Sequence, residues 1–270
     1  CGYGLSPYPQ GQPCYALLWE GHFGAFYRID ENVNITKLGC ALENPGDRFA
    51  FLYALADPTF TLGAGQIRLS DAGKLMALAA YGKNGDIDED ARHIITTLLD
   101  NNLNFRKLHK RLFQNNIYYN IGLDDPRLAT LAHHLSNAIF NLFRDFVQEI
   151  VFDRAPLLIV GGCGLNCDWN SKWIETQLFT DVFIPPCTND SGSAIGTAID
   201  ALLHTKGIAK ITWSPYAGEL SQNDTDNTGT FISEPYDIRR VARLLHEGCI
   251  LGWVQGRYEM GPRALSLIHI

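Results

Sequence analysis

The feature that most constrains this chain is a long amphipathic stretch that leads through a short aliphatic run into a cluster of glycines. Between Asp125 and Asp153, large apolar residues recur every three or four positions, which predicts one long helix with a continuous buried face. Leu157–Val160 is entirely aliphatic, which is typical of a strand covered on both faces. After residue 155 predicted strands alternate with predicted helices, and a meander of strands comes earlier in the chain, so the sequence predicts an α/β fold.

Other elements are predicted on either side of this stretch. Three strand-like runs between Cys14 and Leu42, separated by turn residues, indicate a β-meander. Ser70 and Asp71 are suited to cap a helix that Gly82 ends. Periodicity and turn residues predict further helices at 47–57, 70–81, 86–102, 167–178, 190–204 and 237–246, and further strands at 182–184 and 249–254.

The length of 270 residues suits one large domain or two ordinary ones. The segment 217–234 is polar and has no periodicity, so we interpret it as a linker. This interpretation places one domain at 1–216 and the beginning of a second at 235–270.

The composition argues against several classes of partner. The net charge is −7, from 22 Lys+Arg against 29 Asp+Glu, and the sequence has no basic stripe of the kind that binds nucleic acid or an acidic membrane surface. The sequence also has no apolar stretch of about 20 residues that would predict a transmembrane helix. The seven cysteines include no CxxC pair, so reduced thiols in a cytoplasmic protein are the simplest interpretation.

A glycine cluster is the first candidate site. Gly161, Gly162 and Gly164 follow the aliphatic strand, and Asn166 stands at a predicted helix start. Backbone amides in such a turn can cradle a phosphate or an adenylate, because glycines permit close approach and a helix start carries partial positive charge. The motif is neither a Walker loop nor a complete dinucleotide fingerprint. A turn that only packs explains these glycines equally well.

Asp190 is the second candidate, since it follows a strand end and a Pro-Pro break. It is suited either to cap a helix or to ligate a metal ion in a cleft. Neighbouring parallel strands direct their carboxyl ends into one crevice. The glycine turn therefore adds weight to the interpretation of Asp190 as a ligand.

Two further candidates depend on cationic side chains. One loop, stiffened by glycine and proline, contains Arg257, Glu259 and Arg263. Its arginines are suited to bind phosphate or carboxylate; the alternative is that they pair with the glutamate on a surface turn. Lys74 lies near a predicted helix start, where the helix dipole disfavours a cation. A ligand phosphate or simple solvation accounts for this lysine.

Four motifs occur together in the chain, at Gly73–Gly82, Gly161–Cys167, Asn189–Gly196 and Gly252–Leu265. Their order and spacing resemble the O-carbamoyltransferases of the nodulation-protein and antibiotic-tailoring type, the NodU/CmcH family. The resemblance extends over nearly the whole chain, and the last two motifs are the most specific.

The resemblance implies a fold and an activity. The fold is an actin/Hsp70/sugar-kinase-like (RNase H-like) domain, similar to the tRNA threonylcarbamoyl-transfer protein, followed by a smaller YrdC-like domain. In the smaller domain ATP and carbamoyl phosphate give carbamoyl adenylate. The carbamoyl group then moves, in the large domain, to a hydroxyl of a small-molecule acceptor. A metal ion, iron or another divalent ion, lies between two histidines and an aspartate.

The resemblance also assigns roles to residues. Asp190 matches the metal-binding aspartate, and Lys74 lies in a family motif without a firm role. The loop that cradles the adenylate phosphate in the family is matched by Gly161, Gly162, Gly164 and Asn166. The opening motif of the smaller domain, where phosphate or carbamoyl contacts are expected, is matched by Arg257, Glu259 and Arg263.

The chain departs from the family pattern at three places. The histidine motif is expected before Cys1, the turn at Glu20–Gly24 differs from the usual acidic-glycine turn, and the family continues beyond Leu265. The resemblance therefore implies a fragment that is inactive by itself. A small-molecule kinase of the same fold and a non-catalytic binding module remain as alternatives, and the sequence assigns no general base.

Overall fold

The structure is a computed structural model that describes residues 1–220, 234–253 and 256–261. The chain divides into two compact units, residues 1–211 and residues 212–270. Most of the predicted linker, one end of the predicted strand at 249–254, and Arg263 lie outside the described residues. The assignment of 217–234 as a linker stays a prediction.

A five-stranded mixed sheet forms the centre of the first unit. Strands β1 (Cys14–Trp19), β2 (Gly24–Ile29) and β3 (Ile35–Cys40) form the predicted antiparallel meander. Strand β4 (Leu157–Val160) pairs in parallel with β1, and β5 (Val182–Phe183) pairs in parallel with β4. The strand order is β3-β2-β1-β4-β5, which confirms the α/β class.

Helices connect and cover these strands. The eight α-helices of the described residues are α1 (Gly2–Leu5), α2 (Pro45–Ala56), α3 (Ser70–Ala80), α4 (Glu89–Leu99), α5 (Pro126–Ile150), α6 (Cys167–Glu175), α7 (Ser193–Lys206) and α8 (Ile238–His246). Short 3₁₀ turns lie at Phe105–Lys107, Lys110–Phe113, Gly162–Leu165 and Asp190–Gly192. In these described parts of the chain, no helix has the length and apolar character needed to cross a membrane.

The ends of α3 differ from the prediction in their chemistry. Asp71 is not a cap: it lies inside the helix, fully buried, and accepts hydrogen bonds from Arg68 Nε at 2.8 Å and Lys74 Nζ at 3.3 Å. Gly82 stands just beyond the C-cap residue Tyr81, as predicted. The reason for glycine there is close packing, because a Cβ would lie 2.4 Å from the carbonyl oxygen of Ala129 on α5.

Two other predictions differ from the structure. The helix predicted at 190–204 is confirmed as α7, but it begins at Ser193, and Asp190 lies in the 3₁₀ turn that precedes it. Residues 249–253 form no strand. Ile250 is 90% exposed, so the burial that an aliphatic strand needs is absent at this position.

The core of the first unit is built around three indole rings. Trp19 of β1 stacks on Trp169 of α6 with ring centroids 4.6 Å apart, and Trp173 packs edge-on against Trp19. All three side chains are at most 1% exposed. Trp169 Nε1 also donates to Ser136 Oγ on α5 at 2.9 Å. These contacts hold the carboxyl end of β1 in a fixed position relative to α5 and α6.

Candidate functional site

The strand order reverses between β1 and β4, and this point defines the candidate site. From β1 the chain moves to β2 and β3 on one side, whereas β4 and β5 add on the other. Leu18 pairs with Val160, so the residues that follow the two strands, Glu20 and Gly161, emerge at the same edge. In open α/β sheets ligands bind outside the carboxyl ends of the strands at such a switch point.

The glycines of the loop after β4 are required by close packing. Gly161 has φ +106°, and a Cβ there would lie 2.3 Å from the carbonyl oxygen of Trp19. A Cβ on Gly164 would lie 2.7 Å from Thr188 Oγ1. Fold geometry alone therefore accounts for both glycines, which favours the packing explanation that the sequence left open.

The backbone amides of this loop already have partners inside the protein. Gly161 N donates to Thr188 O at 2.7 Å and Gly164 N donates to Gly161 O at 2.9 Å. Gly162 N donates to the carboxylate of Glu20, and Asn166 N donates to Cys163 O at 3.0 Å. Nucleotide binding by these four residues stays a prediction. The amide of Gly162, which would be one of the donors to a phosphate, is already bonded to Glu20.

The side chains of the loop hold α6 in place. Asn166 is the N-cap of α6 and accepts from Trp169 N at 3.3 Å. Asn170, which the sequence analysis missed, donates from Nδ2 to Gly164 O at 2.7 Å. Its position four residues after the N-cap is the only sequence signal for this role. Both asparagines keep the loop in one conformation.

Asp190 lies at the same edge of the sheet, in the loop after β5. It is exposed, and it comes two residues after Thr188, whose hydroxyl donates to Ile159 O at 3.2 Å and Gly161 O at 3.3 Å. Within the described ranges no three His, Cys, Asp or Glu side chains are placed to hold one metal ion. The described residues therefore do not form a complete site for the implied metal ion, and Asp190 is the one among them that the resemblance assigns to it.

Lys74 has partners within its own region. Its Nζ lies 3.3 Å from Asp71 Oδ1 and 5.4 Å from the centre of the Tyr53 ring. The buried carboxylate of Asp71 accounts for a cation near the start of α3. The role of Lys74 toward a phosphate stays a prediction.

The switch point also holds a pair of side chains that the sequence analysis did not identify. His22 lies on the turn after β1, and Asp47 lies in the first turn of α2. His22 Nδ1 is 2.6 Å from Asp47 Oδ2, with side-chain exposures of 72% and 3%. Burial raises the pKa of Asp47, and the nearby His22 opposes that shift. The only sequence signal is a histidine directly after the Glu-Gly that ends a strand.

Comparison with known proteins identifies the family. Residues 1–199 match the family described as carbamoyltransferase N-terminus. The chain belongs to this family. The match includes the three loops at the switch point, which follow β1, β4 and β5.

Similarity to individual carbamoyltransferases extends further along the chain. A 3'-hydroxymethylcephem-O-carbamoyltransferase from Amycolatopsis lactamdurans is 41% identical over 97% of this chain and 50% of its own length. A protein of the same description from Streptomyces clavuligerus is also 41% identical, with the same two coverages. Nodulation protein U of Sinorhizobium fredii is 28% identical over 98% of this chain and 50% of its own length. The chain therefore spans about half the length of these relatives.

The arginine motif lies beyond the family match, in the second unit. Arg257 is exposed and donates from Nη1 to Gly218 O at 3.0 Å, and a β-bridge joins it to Leu220. Glu259 is half-buried, and Arg263 lies outside the described residues. The contacts of this motif with phosphate or carbamoyl groups stay a prediction.

Proposed function

We propose that this chain forms the N-terminal half of an O-carbamoyltransferase, which transfers a carbamoyl group to a hydroxyl of a small-molecule acceptor. The observation that carries the proposal is 41% identity, along 97% of the chain, to two proteins described as O-carbamoyltransferases. The loops at the switch point lie within that similarity. The acceptor is a small molecule, since both of these relatives are named for a hydroxymethylcephem.

We also propose that residues 1–216 form an actin-like domain of the RNase H-like class. The sheet supports this assignment, because an antiparallel meander is extended in parallel by β4 and β5 on the other side of β1. We assign residues 235–270 to the beginning of a YrdC-like domain on the resemblance of the arginine motif alone.

The proposed chemistry passes through carbamoyl adenylate. A carbamoyl group is a poor electrophile, because its nitrogen donates electrons into the carbonyl. Carbamoyl phosphate and ATP give carbamoyl adenylate, with release of inorganic phosphate and pyrophosphate. In the adenylate the carbamoyl carbon is bonded to a phosphate oxygen, so AMP can leave with the electron pair when the acceptor attacks. The transfer step then needs the acceptor oxygen to be held close to the carbamoyl carbon. We place this step at the switch point, outside the carboxyl ends of β1 and β4, where open α/β sheets bind their ligands.

The test uses the full-length protein with ATP, carbamoyl phosphate and a panel of hydroxyl-bearing acceptors that includes cephems. We expect release of AMP and pyrophosphate and, by mass spectrometry, an acceptor that carries one added carbamoyl group. A phosphorylated acceptor with release of ADP would instead identify a kinase. No AMP and no modified acceptor across the panel would contradict the proposal.

Asp190→Asn examines the assigned aspartate in the same assay. We expect loss of carbamoyl transfer by about tenfold or more, because the resemblance makes this carboxylate a ligand in the site. Iron content of the purified protein, measured by elemental analysis, should fall in parallel. The matched control is Asp200→Asn, an exposed aspartate on α7, which should leave both quantities unchanged. Equal behaviour of the two variants would remove Asp190 from the site.

A further inference from the structure

His22 and Asp47 form an imidazole–carboxylate pair that nothing in the family match explains. The 2.6 Å contact joins Nδ1 of an exposed ring to an oxygen of a nearly buried carboxylate. Asn44 Nδ2 lies 3.5 Å from the same oxygen. With Nδ1–H donated to Asp47, the other ring nitrogen, Nε2, carries the lone pair. The exposed ring leaves Nε2 accessible to a substrate.

The pair is held by backbone contacts rather than by chance side-chain approach. Asn44 N donates to His22 O at 3.1 Å, and Asp47 N donates to Gly21 O at 3.3 Å. A Cβ on Gly46 would lie 3.0 Å from both Gly21 Cα and Cys163 Sγ. The turn after β1, the start of α2 and the loop after β4 therefore meet in direct contact.

Helix α2 is in turn anchored next to Asp47. The fully buried guanidinium of Arg48 donates to Glu43 O at 2.7 Å, Leu98 O at 2.7 Å and Asp100 O at 2.8 Å. An anchored helix keeps the carboxylate of Asp47 in one place. A base that is oriented in this way loses little entropy when it engages a substrate.

The carboxylate of Glu20, which follows β1 directly, is already engaged. Glu20 accepts from Gly21 N at 3.1 Å and from Gly162 N. The thiol of Cys163 has its pKa raised by burial and by the charges of Glu20 and Asp47, so it stays protonated. Among the side chains that the structure describes at the β1–β4 junction, His22 is the one with an accessible basic atom and an orienting partner.

We propose that His22 is the general base of carbamoyl transfer and that Asp47 is its positioning residue; this inference rests on the proposed function. The acceptor oxygen bonds to the carbamoyl carbon while its proton moves to His22 Nε2. The bond between that carbon and the adenylate phosphate oxygen breaks, and AMP leaves with the electron pair. Asp47 holds the ring and stabilises the imidazolium until the proton passes to solvent.

The experiment separates transfer from adenylate formation in the full-length protein. We expect His22→Gln to lower kcat for carbamoylation of the acceptor by about 10²–10⁴-fold, with the acceptor KM little changed. Adenylate formation, followed as release of pyrophosphate without acceptor, should equal that of the wild type. In His22→Gly, added imidazole should restore part of the transfer rate.

A matched control comes from a second His–Asp pair. His204 Nε2 and Asp200 Oδ1 on α7 lie 3.5 Å apart, and both side chains are exposed. His204 is about 16 Å along the helix from Ser193, the end of α7 that follows the Asp190 loop. His204→Gln should leave transfer and pyrophosphate release at wild-type levels. Asp47→Asn should lower transfer without changing pyrophosphate release, provided that its melting temperature shows a folded protein.

The outcomes distinguish failure of this inference from failure of the proposed function. If the wild type carbamoylates no acceptor, both fail together. If the wild type is active but His22→Gln keeps its transfer rate within about threefold, only the inference fails. The inference is also overturned if His22→Gln loses pyrophosphate release equally, or if imidazole restores nothing in His22→Gly, because both results indicate a structural role.

Discussion

Residues 1–211 and the described part of residues 212–270 use apolar side chains in opposite ways. The first unit buries large aromatic side chains such as Trp19, Trp169 and Trp173, each at most 1% exposed. In the second unit, no residue that the structure describes is buried, and Ile250 is 90% exposed. The comparison teaches that folding free energy is concentrated in the first unit, where the candidate site lies on the rim of the core.

The physical reason for the difference is the number of layers. The first unit has a sheet with helices packed on it, so each strand and helix has a surface on which to bury its apolar face. The second unit, in its described residues, has the single helix α8 and an isolated bridge between Leu220 and Arg257. A nine-residue helix cannot bury its own apolar face and is marginal without packing partners.

The largest effect that tests this comparison is expected in the core. Trp169→Ala removes the stack on Trp19 and leaves a cavity between β1 and α6, so the free energy of unfolding should fall by about 3–5 kcal/mol. Urea unfolding followed by circular dichroism measures it. Trp169→Phe keeps an aromatic ring and loses mainly the bond to Ser136, so it should cost about 1–2 kcal/mol. Equal costs for the two variants would show that the stack does not stabilise the core.

An intermediate effect is expected at the buried carboxylate of Asp57. Burial disfavours its charged form, but hydrogen bonds from Thr59 and Arg68 outweigh burial and lower the pKa of Asp57 to about 2. A carboxyl with a pKa lowered by folding stabilises the protein above its unfolded pKa. That contribution is lost as the pH falls toward the folded pKa.

Asp57→Asn should therefore lower the free energy of unfolding by about 1–2 kcal/mol at pH 7, a figure reduced for the partial exposure of Arg68. At pH 3 the difference from the wild type should be smaller. Urea unfolding at the two pH values measures this change. Asp124→Asn, at an exposed aspartate, is the control and should show no such dependence. A difference that grows on acidification would contradict the assignment.

The smallest effect is expected in the second unit. Ile250→Ala removes the same atoms as a core substitution, yet the 90% exposed side chain should change the free energy of unfolding by less than about 0.5 kcal/mol. The matched variant Ile159→Ala, at a fully buried position of β4, should cost about 2–5 kcal/mol. Similar costs at the two positions would remove the contrast between the units.

Much of the fold could be predicted because the spacing of apolar residues along the chain indicates which face of a helix or strand is buried. The meander, the aliphatic strand β4 and the start of the long helix at Asp125 follow from periodicity and turn chemistry. The errors lie where tertiary contacts override local signals. Asp71 has the chemistry of a cap, but Arg68 and Lys74 draw it into the buried side of α3.

The candidate site was predicted less completely than the fold. The glycine loop and Asp190 do lie at one edge of the sheet, as the strand–loop pattern implies. The sequence could not show that Glu20 takes the amide of Gly162, or that His22 reaches Asp47. Those contacts join residues that are 142 and 25 positions apart, and neither partner carries a local signal for the other.

By itself, the sequence determined the family, the α/β class and the alternation of strands and helices, because motifs and periodicity are properties of consecutive residues. Only the tertiary structure decided which side chains share the crevice. The parallel pairing of β1 with β4 brings distant turns together, and the packing of α2 against them sets the distance between imidazole and carboxylate.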